Sequence, residues 1–227
     1  TATSVSQGAG IGGGQGGPGR FIYIKGGTVN AGSESGGAGI GSGDQDGQNK
    51  SEDAHHIEIS GGAVLAFSNY AGAGIGGSFA TRNIADKVFN IDMYGHGVNM
   101  HFGSQTNPSL WSGTIIAKGG KYSAGIGGGR GGSGEKLYFY SGTVQANGGR
   151  FASGIGGSYE GRGSEIYIYG GTVSAQGGDG GAGIGGGCWT TEQDMNGINA
   201  AHDIYISGGT VTAKGGHNGA GIGGGQY

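Results

Sequence analysis

The sequence predicts an all-β fold: a right-handed parallel β-helix of about seven coils, each of ~29 residues in three short strands. Three observations lead there. A Val or Ile is followed eleven residues later by the Ile of a G-I-G core at Val29/Ile40, Val64/Ile75, Ile115/Ile126, Val144/Ile155, Val173/Ile184 and Val211/Ile222, with a further G-I-G at Ile11. The return from each Ile to the next Val varies instead: 18 residues from Ile11, Ile126 and Ile155, 24 from Ile40, 40 from Ile75 and 27 from Ile184. Finally, the short apolar runs alternate with period two, the mark of a strand with one face inward. One fixed arc and one variable arc describe a stack of like units that carries its insertions on one flank, which is often the binding flank.

Each unit reads as three strands. The first is I-x-I, at Ile22/Ile24, Ile57/Ile59, Leu137/Phe139, Ile166/Ile168 and Ile204/Ile206. A G-G or S-G turn leads to T-V-x-A, as in Thr172-Val173-Ser174-Ala175, and a polar Gly-rich loop leads to A-G-I-G, as in Ala38-Gly39-Ile40-Gly41. The inward set per coil is then I, I, V, A, A, I. Stacking places Ile on Ile and Ala on Ala, with the small Ala columns where two walls converge. Ser153 replaces Ala in one coil and needs a neighbouring carbonyl for its hydroxyl. The crossover rule for parallel strands gives the right hand. Units of this length are too short for the four strands of a propeller blade. Coils about 4.8 Å apart make a rod of roughly 35 Å.

A single solenoid over 1–227 is expected, with an irregular stretch at 79–110 and smaller insertions at 44–54 and 188–201. Within the irregular stretch, Ile91 to Met100 fits the frame of an extra, degenerate coil that lacks its third strand, with Pro108 as a breaker before re-entry. The chain starts just before one A-G-I-G and stops just after another, without a capping helix or charged end layer. That favours a piece of a longer protein, or ends that contact other molecules.

Composition narrows the function classes. The 64 Gly in 227 residues lack the G-X-Y period of collagen, and the fixed apolar register argues against disorder. The net charge of −3 with dispersed Lys and Arg gives no basic stripe, so nucleic acid is not an expected partner. No apolar run is long enough for a membrane-spanning helix. The lone Cys188 excludes an internal disulfide and leaves the compartment open.

Two outward surfaces and one loop arc carry candidate chemistry. Gly flanks every third-strand Ile, as at Gly125/Gly127, which means either special backbone conformation or a bare face for a flat partner. The first strands point Phe21, Tyr23 and Lys25, then Tyr138, Tyr140, Tyr167, Tyr169 and Tyr205, to one side, with Trp111 joining from the irregular stretch. Such an aromatic strip either stabilises the sheet as a ladder or serves as a platform for the CH faces of sugar rings. The variable arc adds Phe79, Arg130, Tyr159, Glu160, Arg162 and Trp189, a mixture of aromatic and charged groups that suits a binding rim beside the tyrosines.

Asp44, Asp46, Asn49 and Glu52 offer several oxygen ligands in a short Gly-containing loop without the full calcium-loop pattern. A calcium site and a solvated insertion both remain open there, and no other cofactor is expected. His55, His56, His96 and His101 lack metal-ligand spacing and read as surface residues.

No catalytic residue is assigned. Asp86, Asp92, Glu160, Glu192 and Asp194 lie in the right arc for a polysaccharide-degrading β-helix enzyme, yet sequence sets no pair at a working distance. The G-x-G runs precede strands, so they are not phosphate loops. Thr28, Thr114, Thr143, Thr172 and Thr210 form a column like that of an ice-binding solenoid, but the neighbouring column is irregular and Ala63 interrupts the first.

The stretch Ile206-Ser207-Gly208-Gly209-Thr210-Val211-Thr212-Ala213-Lys214-Gly215-Gly216, continued by Gly219-Ala220-Gly221-Ile222-Gly223-Gly224-Gly225, resembles the Gly-rich tandem-repeat β-helix regions of large bacterial cell-surface proteins. Those are described as carbohydrate-binding or adhesin-like. The resemblance covers the regular coils and carries no ligand residues with it. It implies an extracellular or cell-surface module that binds a polysaccharide or surface glycan without turning it over. A degrading enzyme, a structural module and an ice-binding solenoid are the alternatives. Self-association through the uncapped ends or the glycine face is a further expectation.

Overall fold

The computed structural model describes residues 1–44, 53–79, 97–106, 113–188 and 201–226. These residues form a parallel β-helix. The I-x-I wall stacks the first halves of Arg20–Ser33 and Ala54–Ser68, then Gly97–Phe102, Gly134–Phe139, Gly163–Ile168 and His202–Ile206. The T-V-x-A wall stacks Ala2–Ser4, the second halves of the same two long strands, then Thr114–Lys118, Thr143–Asn147, Thr172–Gln176 and Thr210–Lys214. These two walls count as one sheet because the chain turns the corner without breaking strand in two coils. The third wall is seven rungs of only two residues, Ile-Gly, from Ile11–Gly12 to Ile222–Gly223.

Like residues stack on like. Ile155 pairs with Ile126 and Ile184, and Ala146 with Ala117 and Ala175. The expected inward set is the core: Ile57, Ile59, Ile75, Ile126, Leu137, Ile155 and Ile166 are fully buried. Burying one such aliphatic side chain is worth about 1.5–3 kcal/mol, and each coil repeats the gain against its neighbour. The hydroxyl of Ser153 donates to the carbonyl of Gly157 at 2.7 Å, so this polar intruder is satisfied inside its own coil.

The irregular stretch resolves differently from its sequence reading. Met100 pairs with Ile57 and Leu137, and Phe102 with Ile59 and Phe139. Met100-His101-Phe102 is therefore the first strand of the coil that continues with Thr114–Lys118, not the second strand of an extra coil. Both side chains are fully buried, and Phe102 stacks on Phe139 with centroids 4.9 Å apart. An M-x-F pair fills the I-x-I slots because either pair supplies two large apolar groups on one face.

The glycines beside the third-strand isoleucines do not form an open face. A Cβ on Gly125 would stand 2.7 Å from the amide nitrogen of Asn147 and 2.8 Å from the carbonyl oxygen of Gly154. Gly127, at φ 132°, would drive a Cβ into the carbonyl of Gly156 in the next coil. Glycine is required here because the backbone of the next coil covers these positions; both residues are buried.

Every first strand also carries a left-handed, non-glycine residue just before its first inward side chain: Phe21, His56, Asn99, Lys136, Glu165 and Asp203, with φ between 52° and 57°. The ladder skips this residue, pairing Glu135 with Ser164 and then Leu137 with Ile166. A stacked bulge of this kind costs about 1–3 kcal/mol per residue and re-aims the strand that follows.

Candidate functional site: the aromatic wall

The I-x-I wall shows two outward columns. Register places Tyr23, Glu58, His101, Tyr138, Tyr167 and Tyr205 in one column, rung by rung. The second column lies two residues on, where Tyr140 and Tyr169 stack with centroids 5.4 Å apart, and where the coil before Tyr140 has Gly103.

The rings of the first column lie face to face. His101 and Tyr138 are 4.6 Å apart, Tyr138 and Tyr167 5.0 Å, and Tyr167 and Tyr205 5.1 Å, with interplanar angles of 16°, 5° and 4°. The coil repeat imposes this spacing, and each parallel pair adds about 0.5–1.5 kcal/mol beyond its burial. Both faces of Tyr138 and of Tyr167 are thus taken by neighbouring rings. Of the two readings the sequence left open, ladder and platform, the stacking realises the ladder, and at Tyr138 and Tyr167 it leaves ring edges rather than ring faces for a sugar.

Three side chains tie the two columns together. His101 Nε2 lies 3.1 Å from Asn99 Oδ1, and Nδ1 lies 3.2 Å from the Tyr140 hydroxyl. With Asn99 accepting from Nε2–H, Nδ1 is the acceptor and Tyr140 donates. Burial holds the His101 pKa below its usual value; Glu58 opposes that shift and His56 adds to it. Tyr140 is buried, and that burial, followed by Tyr169 and Tyr138, pushes its pKa up to about 12. Burial also raises Tyr138 and Tyr167, with Glu165 as the next cause in both.

The remaining predicted residues separate from this wall. Arg130 places its guanidinium over Phe79 at 5.0 Å and over Tyr122 at 4.9 Å. Tyr159 lies 5.8 Å from Tyr122 and 5.7 Å from Phe151, and Arg150 covers Phe151 at 4.6 Å. No ring or guanidinium contact among the described residues joins this cluster to the tyrosine wall, and its members contact one another. Glu160 donates its amide to the Cys188 carbonyl, and the Arg162 amide takes the hydroxyl of Ser133 as acceptor. Trp111 and Trp189 lie outside the described residues.

Of the calcium candidates, Asp44 is buried, with its carboxylate over Gly36, while Asp46, Asn49 and Glu52 lie outside the described residues. Among the described residues, no group of three or more His, Cys, Asp or Glu is placed to hold a metal ion.

Sequence reasoning missed His101, Asn99 and Glu58 as members of the wall. The frame that put Met100 in a T-V-x-A slot sent His101 to the wrong strand. The signal was present: M-H-F at 100–102 has the pattern of L-Y-F at 137–139. Tyr122 and Phe151 were missed because they precede the third strand, in the arc of constant length.

No curated protein and no solved structure matches the chain. A family model described as Beta helix repeat matches residues 22–44, 57–79, 111–130, 140–159, 166–188 and 204–226, more than half of the chain. The repeat boundaries follow the coils, and the chain belongs to the beta helix repeat family.

Proposed function

We propose that the chain is an extracellular or cell-surface module that holds an extended carbohydrate chain along its tyrosine wall. One observation carries the reading: the rungs Tyr138, Tyr167 and Tyr205 repeat every 5.0 to 5.1 Å. That pitch is close to the length of one residue in an extended β-linked polysaccharide. A chain laid parallel to the helix axis meets one ring edge and one phenol hydroxyl per sugar. Tyrosine hydroxyls both donate and accept, so they suit sugar hydroxyls of either sense. The wall is flat and rigid because each rung is locked by its neighbours, which lowers the ordering cost of binding.

Binding rather than turnover is our reading, because the element the wall repeats is its row of phenols. Its carboxylates form no such row: Glu58 lies three rungs from Glu165, with His101 and Tyr138 between them, and Asp203 stands one rung beyond Glu165 at the equivalent position. A glycan array probed with the whole chain is the test. The reading expects retention on polymers and long oligosaccharides, with affinity rising with length. The same samples, assayed for new reducing ends and unsaturated products, are expected to show neither. Absence of binding to every immobilised glycan would refute the proposal, and product release would favour an enzyme.

A further inference from the structure

The aromatic ladder has a break. Between the rings of Tyr23 and His101 the column holds Glu58, whose side chain supplies no ring. In the second column, the positions after Ile59 and Phe102 are Ser60 and Gly103, so two successive coils lack the tyrosine found in the next two. The result is a cleft of about 520 Å³. Tyr23 and Lys25 stand on one side, His101 and Tyr140 on the other, and Glu58 and Ser60 lie between them. Gln105 and Thr106 reach it from the segment after the Gly97–Phe102 strand.

We propose that this break is a subsite for one neutral pyranose ring, which enters as the missing rung over Glu58, between Tyr23 and His101. The inference rests on the carbohydrate reading above and names its most selective position.

Three features carry it. Two coil repeats separate the rungs of Tyr23 and His101, roughly 9.6 Å. A ring inserted midway has one coil repeat to each side. A chair pyranose with axial CH groups meets a ring on each side at that distance; a phenol fits the same spacing but lacks the several hydroxyls that the polar groups around the edge would bind. The lining is the mixture that orients a sugar: aromatic side chains on two sides, with carboxylate, ammonium, amide and hydroxyl groups among them. Glu58 accepts from sugar hydroxyls, while its charge opposes a uronate or sulfate in the same place. Finally, His101 is held in one orientation by Asn99 and Tyr140, so the wall of the subsite is preformed.

The test uses the whole chain with isotope-labelled histidine, titrated with methyl hexopyranosides, methyl glucuronoside and a phenol as a flat-ring control. The expected result is a saturable shift of the His101 ring signals with a neutral pyranoside, at least tenfold weaker with the uronoside and with phenol. Glu58→Tyr completes the ladder with a protein ring. It is expected to fold and to abolish the His101 response to pyranosides. Glu58→Gln keeps the cleft open and guards against a folding defect; it is expected to retain the shift with weaker affinity. No saturable response in the wild type, or an undiminished one in Glu58→Tyr, overturns the subsite. If polysaccharide is retained without any His101 response, the subsite fails and the carbohydrate reading stands. If neither is seen, both fail.

Discussion

Tyr140 and His101, 39 residues apart in sequence, meet at 3.2 Å through a hydroxyl and an imidazole nitrogen on adjacent coils. The contact exists because Gly103 supplies no side chain in the Tyr140 column, and because Asn99 fixes the tautomer of His101. Ring stacking and hydrogen bonding therefore act on the same side chain.

His101→Phe separates the two. The substituted ring still stacks on Tyr138, but the Tyr140 hydroxyl loses its acceptor in a buried place. Stability should fall by about 1–2 kcal/mol in denaturant unfolding. Adding Tyr140→Phe removes the stranded hydroxyl as well, so the double variant should be more stable than the sum of the two single changes. Strict additivity would show that the contact contributes nothing.

The titrations have opposite signs at the two ends of the pH scale. His101 has a folded pKa below 6.5, so below that pH the unfolded chain takes up the proton first and stability falls with acidification. Glu58, His56, Tyr138 and Tyr140 face the imidazole, and none of them cancels the burial that causes the shift. Tyr140 lies at about 12, so the folded state holds its proton longer than the unfolded one. Stability is full below pH 10 and is lost as pH rises from 10 to 12. Phenolate absorbance should show a late-titrating tyrosine, and Tyr140→Phe should remove it.

The glycine requirement in the third wall is local and severe. Gly127→Ala combines φ 132° with a collision against the Gly156 carbonyl, and should abolish cooperative unfolding or cost several kcal/mol. Gly26→Ala has nothing within 4 Å of the added carbon and should change stability by less than about 0.5 kcal/mol. Equal effects at both positions would contradict the close approach of successive coils.

The core and coil phase were legible because burial selects residue type at fixed intervals: Val144 and Ile155 are eleven apart in sequence and both buried. The tyrosine columns were legible for the same reason, since period two sends Tyr138 and Tyr167 to the side opposite Leu137 and Ile166. Ring orientation was not, because alternation fixes which wall a side chain leaves but not its torsion; the coil spacing then forces the rings face to face. The role of Gly125 was hidden by a true ambiguity: a glycine required by a neighbouring backbone and one left bare for a partner read alike. His101 was lost to a misplaced frame in the stretch where the return path is longest.

The most direct measurement is retention on polysaccharide-containing gels of the wild type and of the triple variant Tyr138→Phe, Tyr167→Phe and Tyr205→Phe. The phenyl rings preserve the stack and should leave unfolding within about 1 kcal/mol of wild type, because only partly solvated hydroxyls are removed. Loss of retention in this folded variant, with the wild type retarded, is the result expected if a row of phenol hydroxyls reads an extended glycan. Equal retardation of the two proteins would contradict it.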